Sequence, residues 1–362
     1  MKILQLVSSL GIGGAEKFVS DLAIAQRSLG HDVVVVVLDR AIDIGKDTEY
    51  EKKLYNKLIM NNIKVEFIGY KARKKPYEIY KKLKAIIDKY RPNIIHSHLI
   101  WWSIFVSIIP GDYKHLFTQH INIIKRKIWH RLYLKYFIDK YITICDEAYN
   151  DAIQLFSSSK VCKIINGVVN NDFLFKDRSS DKVTQLVTIS RLTDQKNHKL
   201  IINVISKLKN DYPNLNFKLN IIGDGPLLNE LSLHVDFLKL GNNVKFHGTQ
   251  SNVSDFLLSN DLYLLPSKME GFSIALIEAL SSGIRIIASD VGGNSETLNN
   301  GELGILVSKN DFHELYDAIC YCLNSNSSNN NEEQVKKKMV ELSIETCAYK
   351  HIRIYDDLLK NN

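Results

Sequence analysis

Long apolar runs are missing from this 362-residue chain. The longest, Leu99 to Ile109, is about half of what a membrane-spanning helix requires. The start, Met1-Lys2-Ile3-Leu4-Gln5-Leu6-Val7, carries one positive charge and then a short apolar stretch that ends at serines. It reads as a first β-strand, too short for the apolar region and cleavage site of a signal peptide. A chain that neither spans a membrane nor is exported is expected to be cytoplasmic. Cysteine is scarce as well. Cys145, Cys162, Cys320, Cys322 and Cys347 are odd in number and show no metal-type or Cys-x-x-Cys spacing. Reduced, buried thiols fit this pattern better than a disulfide framework. A Walker loop, an internal sequence repeat and a recognised nucleic-acid module are absent too, which disfavours NTPase, solenoid and nucleic-acid-binding classes.

What is present is charge in the wrong proportion. Residues 1–180 hold 29 Lys and Arg against 18 Asp and Glu, while the remainder holds 18 against 22. The net +7 therefore belongs to the first half, which is expected to face something anionic. Lys71–Lys75, Lys81–Lys84 and Lys125–Lys140 supply the excess. The last of these interleaves Ile128, Trp129, Leu132, Tyr133, Tyr136 and Phe137 with basic residues at helical spacing, the pattern of a helix on an anionic membrane surface. A core-packing helix with a solvated basic face gives the same pattern.

The chain is too long for one core, so two domains are expected, joined near the polar stretch Lys176–Lys182. Strands are expected at 3–7, 32–38, 64–68, 93–98, 114–118, 141–145 and 161–165, and a second series at 183–190, 217–222, 244–247, 261–266 and 284–288. Helices alternate with them, which makes the class α/β with parallel, doubly wound sheets. Asn324–Asn331 is expected to be a surface loop and Ala348–Leu359 a closing helix. In such sheets ligands bind beyond the carboxyl ends of strands, and several polar groups fall there. Gly11-x-Gly13-Gly14 follows the first strand but lacks the third glycine of a dinucleotide fingerprint. His96-Ser97-His98 and Gln119-His120 end two others, and Arg191 follows a strand with Lys196 five residues on. Two cations there suit a diphosphate.

The most informative stretch is Glu270–Gly283, EGFSIALIEALSSG. A Gly271-Phe272 turn opens a short helix closed by Gly283. N–H groups around Phe272, Ser273 and Ile274 would favour a phosphate, and the Glu278 carboxylate a sugar hydroxyl. That combination describes a nucleotide site.

In this order and spacing the motifs resemble the family 4 retaining glycosyltransferases of the GT-B fold. The resemblance covers essentially the whole chain. It rests on Glu270-x7-Glu278, with Gly13-Gly14-Ala15-Glu16, Thr118-Gln119-His120, Asn166-Gly167-Val168, Arg191 with Lys196, Gly223-x-Gly225-Pro226, His247-Gly248 and Gly292-Gly293-x-x-Glu296. It implies two Rossmann-like domains facing a cleft: an acceptor-binding one over 1–178, onto which a helix over about 346–362 returns, and a nucleotide-sugar-binding one over 179–345. Arg191 and Lys196 would neutralise the diphosphate, helped by the amides of Phe272, Ser273 and Ile274. Gly223 and His247 would line the nucleotide site, Glu278 would hold the ribose and Glu270 the donor sugar. His120 would stand beside the sugar, the Gly13-Gly14 loop would leave room for diphosphate and acceptor, and His98 would form pocket wall. Where the family often has aspartate after Asn-Gly-Val, this chain has Val169 and then Asn170.

The implied reaction is metal-independent, retaining transfer from a nucleotide sugar, UDP-linked by family habit, without a further cofactor. The implied acceptor is a saccharide, and the basic, aromatic Lys125–Lys140 segment favours a lipid-linked one at the cytoplasmic membrane face, as in capsule, O-antigen or exopolysaccharide assembly. A GT-B sugar-nucleotide epimerase, a dinucleotide-dependent oxidoreductase and a non-enzymatic nucleotide-sugar-binding partner are the alternatives.

Overall fold

Val33 to Val37 are five valines in a row, and a strand made of them has no polar face to show to water. In the computed structural model β2 (Asp32–Val37) is covered on both sides, with all five valines buried, and it pairs with β1 (Lys2–Val7) and β3 (Lys64–Phe67). The structure describes the chain except residues 12, 46, 70–74, 121–134, 170–174, 177–182, 251, 325–331 and 361–362, and the side chain at 101. Most of the basic segments Lys71–Lys75 and Lys125–Lys140, of the stretch Lys176–Lys182 and of Asn324–Asn331 therefore lie outside the described residues.

The chain forms two compact units, Met1–Val169 with Leu342–Asn362, and Asn170–Glu341. In the first, β4 (Ile94–Ser97), β5 (Lys114–Gln119), β6 (Lys140–Thr143) and β7 (Val161–Lys163) extend the sheet in the order β3-β2-β1-β4-β5-β6-β7. In the second, β8 (Gln185–Ile189), β9 (Lys218–Ile222), β10 (Val244–Phe246), β11 (Leu262–Leu265), β12 (Arg285–Ser289) and β13 (Ile305–Val307) follow the order β10-β9-β8-β11-β12-β13. Every pairing between these strands is parallel. Each unit is thus a doubly wound α/β sheet whose order reverses beside its first strand, next to β1 and next to β8.

Element boundaries depart from the sequence reading where local chemistry decides them. The closing helix starts at Ile344 rather than Ala348, because the Ser343 hydroxyl accepts the Thr346 N–H at 3.1 Å and caps it. Helix Leu228–Phe237 ends just before Lys239, which takes a left-handed φ of 55° in place of a glycine.

Two contacts fix the first unit around its switch point. Helix Ile344–Lys360 packs against helix Gly14–Ser28, with Ile344, Cys347, Ala348, His351, Ile352 and Tyr355 buried. The Trp102 indole N–H, fully buried, donates to Val7 O at 3.0 Å and pins the end of β1 where the glycine loop begins. Trp102→Ala is expected to cost about 3–5 kcal/mol of stability in urea unfolding, a cavity plus one lost hydrogen bond, Val7 O keeping its other donor, the Leu38 N–H. Trp102→Phe, which restores most of the volume, should cost about 1–2 kcal/mol.

Candidate active site

In the second unit the candidate residues gather where β8, β9, β11 and β12 end. Ser273, after the Gly271-Phe272 turn, is the N-cap of helix Ile274–Ser281; its hydroxyl accepts the Leu276 N–H at 3.4 Å. Intrahelical bonding begins with Ile277 N–H on Ser273 O, so the N–H groups of Ile274 and Ala275 have no carbonyl within the helix. Those are the groups an anion would use. Glu278 sits one turn further along, buried rather than exposed on the helix surface.

Glu270 and Lys196 are in direct contact. Lys196 Nζ donates to Glu270 Oε1 at 2.6 Å, and the Ser267 hydroxyl donates to the same oxygen at 2.6 Å. Glu270 is buried and Lys196 largely so, which makes this a shielded ion pair rather than a surface one. Arg191, by contrast, is exposed at the end of β8.

Two glycines let backbones close in on these groups. Gly292 has φ +57°, and a Cβ there would lie 2.3 Å from Glu270 O, so the β12 loop rests directly on the Glu270 turn. Gly223 has φ +132°, and its Cβ would lie 2.0 Å from Ser190 O, so the β9 loop presses on the strand end that carries Arg191. His247 follows β10, its ring edge-on to Phe256, and its Nε2–H donates to Asn220 Oδ1 at 2.9 Å.

In the first unit Gly13 is the N-cap of helix Gly14–Ser28, its φ of 173° being ordinary extended backbone. The space over it is taken by a carboxylate: an added Cβ would meet Glu16 Oε2 at 2.2 Å. The Ser8 and Ser9 hydroxyls donate to Glu16 Oε1 at 3.2 and 3.4 Å, so Glu16 knits the glycine loop together. His98 and His120, at the ends of β4 and β5, meet with Nδ1 to Nε2 at 2.9 Å and stacked rings. The second nitrogen of His98 is on Gln5 Oε1 at 2.8 Å, so both nitrogens of this expected pocket-wall residue are engaged by protein. His96 is fully buried between the Tyr355 hydroxyl and Thr118 Oγ1, each at 2.7 Å.

Burial dominates the titration of this histidine cluster. It lowers His115, His120 and His351 from 6.5 to about 4 and carries His96 and His98 well below 6.5, with mutual repulsion among the rings adding to the effect for all but His115 and His351. At neutral pH the cluster is uncharged. The sequence reading missed the roles of Gln5, Ser267, Glu16 and Tyr355. Glu16 lay inside a motif already singled out; the other three are ordinary residues whose partners are distant in the chain.

Unfolded, these imidazoles take up protons near pH 6.5; folded, only near pH 4. Between those values the unfolded chain binds more protons, so stability falls as pH falls, by about 1.4 kcal/mol per pH unit for each histidine. Urea midpoints at pH 7, 5.5 and 4.5 read this directly. Lys196→Met, which strands the buried Glu270 carboxylate, should cost about 3 kcal/mol. Adding Glu270→Gln should recover a large part of that loss, a coupling that a double-mutant cycle in urea measures.

The chain matches the family models described as Glycosyltransferase Family 4 over residues 12–171 and Glycosyl transferases group 1 over residues 170–339. An uncharacterized glycosyltransferase of Methanocaldococcus jannaschii is 26% identical over 325 residues, which is 85% of this chain and 88% of that protein. The N-acetylgalactosamine-N,N'-diacetylbacillosaminyl-diphospho-undecaprenol 4-alpha-N-acetylgalactosaminyltransferase of Campylobacter jejuni is 26% identical over 215 residues, 58% of this chain and 56% of that protein. With some curated relatives, then, the match spans only about half of their length, 51% in one Methanocaldococcus jannaschii glycosyltransferase. Among solved structures, Anabaena HepE in complex with UDP-glucose superposes with a TM-score of 0.80 at 19% identity, covering 100% of both chains. A Rickettsia africae glycosyltransferase gives 0.79 at 22%, covering 100% of this chain and 99% of that one. With two matched models that together run from residue 12 to 339 and this shared two-sheet architecture, the chain belongs to the family 4 glycosyltransferases of the GT-B fold.

Proposed function

We propose that the chain transfers a sugar from a UDP-sugar, with retention of anomeric configuration, to a lipid-linked saccharide during bacterial surface polysaccharide assembly. The observation that carries this reading is the contact between Lys196 and Glu270 beside the Ser273-capped helix. A cation suited to a diphosphate and a carboxylate suited to sugar hydroxyls stand side by side, next to N–H groups that favour phosphate. HepE, whose structure contains UDP-glucose, and the Campylobacter enzyme, whose name specifies a diphospho-undecaprenol acceptor, support the donor and acceptor classes.

The chemistry follows from this set. When the bond between the anomeric carbon and the diphosphate breaks, negative charge grows on the leaving oxygen; Arg191, Lys196 and the Ile274 and Ala275 amides answer it without a metal. Glu278 takes the ribose hydroxyls and Glu270 those of the donor sugar, so Lys196 exchanges Glu270 for phosphate when the donor arrives. The acceptor hydroxyl oxygen bonds to the anomeric carbon from the face the diphosphate leaves, and its proton passes to a donor phosphate oxygen.

The membrane part of the reading rests on the basic, aromatic segment Lys125–Lys140, of which the described end exposes Tyr136 and Phe137. An amphipathic face of this kind suits the inner leaflet of the cell membrane.

Calorimetry of UDP, GDP, ADP and NAD on wild type and Glu278→Ala should show UDP binding, weakened roughly tenfold or more by the substitution. Binding of NAD alone would end the reading. With a UDP-sugar and a lipid-linked acceptor, NMR should record retained configuration in the product, and an inverted product would exclude the same-face route. Conversion of the UDP-sugar without any acceptor would point to an epimerase instead. Charge reversal at the described lysines Lys135 and Lys140 should weaken binding to anionic vesicles.

A further inference from the structure

Two donors share one oxygen of Glu270. Lys196 Nζ and the Ser267 hydroxyl each stand 2.6 Å from Oε1, while Oε2 accepts no hydrogen bond from the described residues. The buried carboxylate is thus divided: protein holds one oxygen, and the other still has lone pairs to offer. All three residues belong to the second unit.

The two donors differ in permanence. Lys196 carries the charge that a diphosphate attracts, and in the proposed reaction it passes from Glu270 to phosphate. Ser267 is neutral, fully buried and part of a backbone that other bonds fix. Its carbonyl accepts the Ser289 hydroxyl at 2.6 Å, and Ser289 O accepts the Asn294 Nδ2–H at 2.9 Å. At the far end of the same turn the Gly292 loop bears on the Glu270 carbonyl. Ser267 and Glu270 are therefore set relative to one another before any ligand arrives.

We propose that Ser267 is a positioning residue which keeps Glu270 Oε1 when Lys196 turns to the diphosphate, and so presents Oε2 to the donor sugar. The terminal torsion of a glutamate is broad and two-fold, so a carboxylate released by its lysine and held by nothing else would offer either oxygen or neither. A buried hydroxyl that stays in place removes this freedom in advance, and the sugar then binds without the cost of ordering the acid. It also answers part of the charge that Lys196 leaves behind, since a hydroxyl bond to an ionised carboxylate is short and strong. The inference rests on the reading that Glu270 takes hydroxyls of the donor sugar.

Calorimetry of the full chain with UDP, UDP-glucose and UDP-N-acetylglucosamine tests it, because the ratio of UDP-sugar to UDP affinity isolates the sugar contact. For the better-bound UDP-sugar, Ser267→Ala should lower that ratio roughly 3- to 10-fold, the worth of one hydrogen bond. An unchanged ratio overturns the proposal, whether both affinities hold or both fall together, as they would for a merely structural serine. In a Glu270→Ala background, where the sugar contact is already lost, the same substitution should leave the ratio unmoved. A further fall of similar size would show Ser267 acting without Glu270 and overturns the positioning role. A Glu270→Ala chain with the wild-type ratio, or a wild type that binds UDP but neither UDP-sugar, overturns instead the placement of Glu270 at the sugar. That result is distinct from a failure of Ser267 alone, in which Glu270→Ala lowers the ratio and Ser267→Ala does not.

Discussion

A sheet whose strands all point one way delivers the last residue of each strand to the same edge, and this constraint organises each unit. Ser8, His98 and His120 reach the edge of the first sheet, and Arg191, Gly223, Ser267 and Asp290 that of the second. Parallel pairing needs helical crossovers, and each crossover starts with a helix N-terminus at that edge. Carboxylates, cations and bare amides are concentrated there by topology before any side chain is chosen. Chemistry is then a matter of which residues occupy positions that the sheet has already set.

What the sequence adds is close approach. The Gly292 loop lies on Glu270, and the Gly223 loop on the strand end carrying Arg191. A side chain on either glycine would push these loops off. The Ser289 hydroxyl, bonded to Ser267 O at 2.6 Å, and Asn294, bonded to Ser289 O at 2.9 Å, extend the same tight seam from β12 to β11. Glu270 is thereby held from several sides while the largely buried Lys196 balances its charge.

The sequence reading succeeded where the signal is local. Valine runs, glycine turns and the Glu270-x7-Glu278 spacing each lie within one element, and periodicity reports them directly. The family assignment followed from the order of such local pieces. It failed where partners are distant. Gln5 and His98 are 93 positions apart and His96 and Tyr355 are 259 apart, so no window along the chain could show that they touch. Glu16 was visible as part of a glycine-loop motif, yet its work, holding Ser8 and Ser9, depends on a loop geometry that the letters do not encode. The start of the closing helix was misjudged for the same reason: a single hydrogen bond, from the Thr346 N–H to the Ser343 hydroxyl, sets it.

The return of Leu342–Asn362 to the first unit has a consequence for biosynthesis. The second unit, Asn170–Glu341, is contiguous and can fold as soon as it leaves the ribosome. The first unit, although begun first, lacks helix Ile344–Lys360, which packs on helix Gly14–Ser28 and brings the Tyr355 hydroxyl to Gln26, until the residues beyond Glu341 have been made. During elongation the nascent first unit carries an unfilled groove along helix Gly14–Ser28. Whatever covers that groove has to leave when helix Ile344–Lys360 arrives.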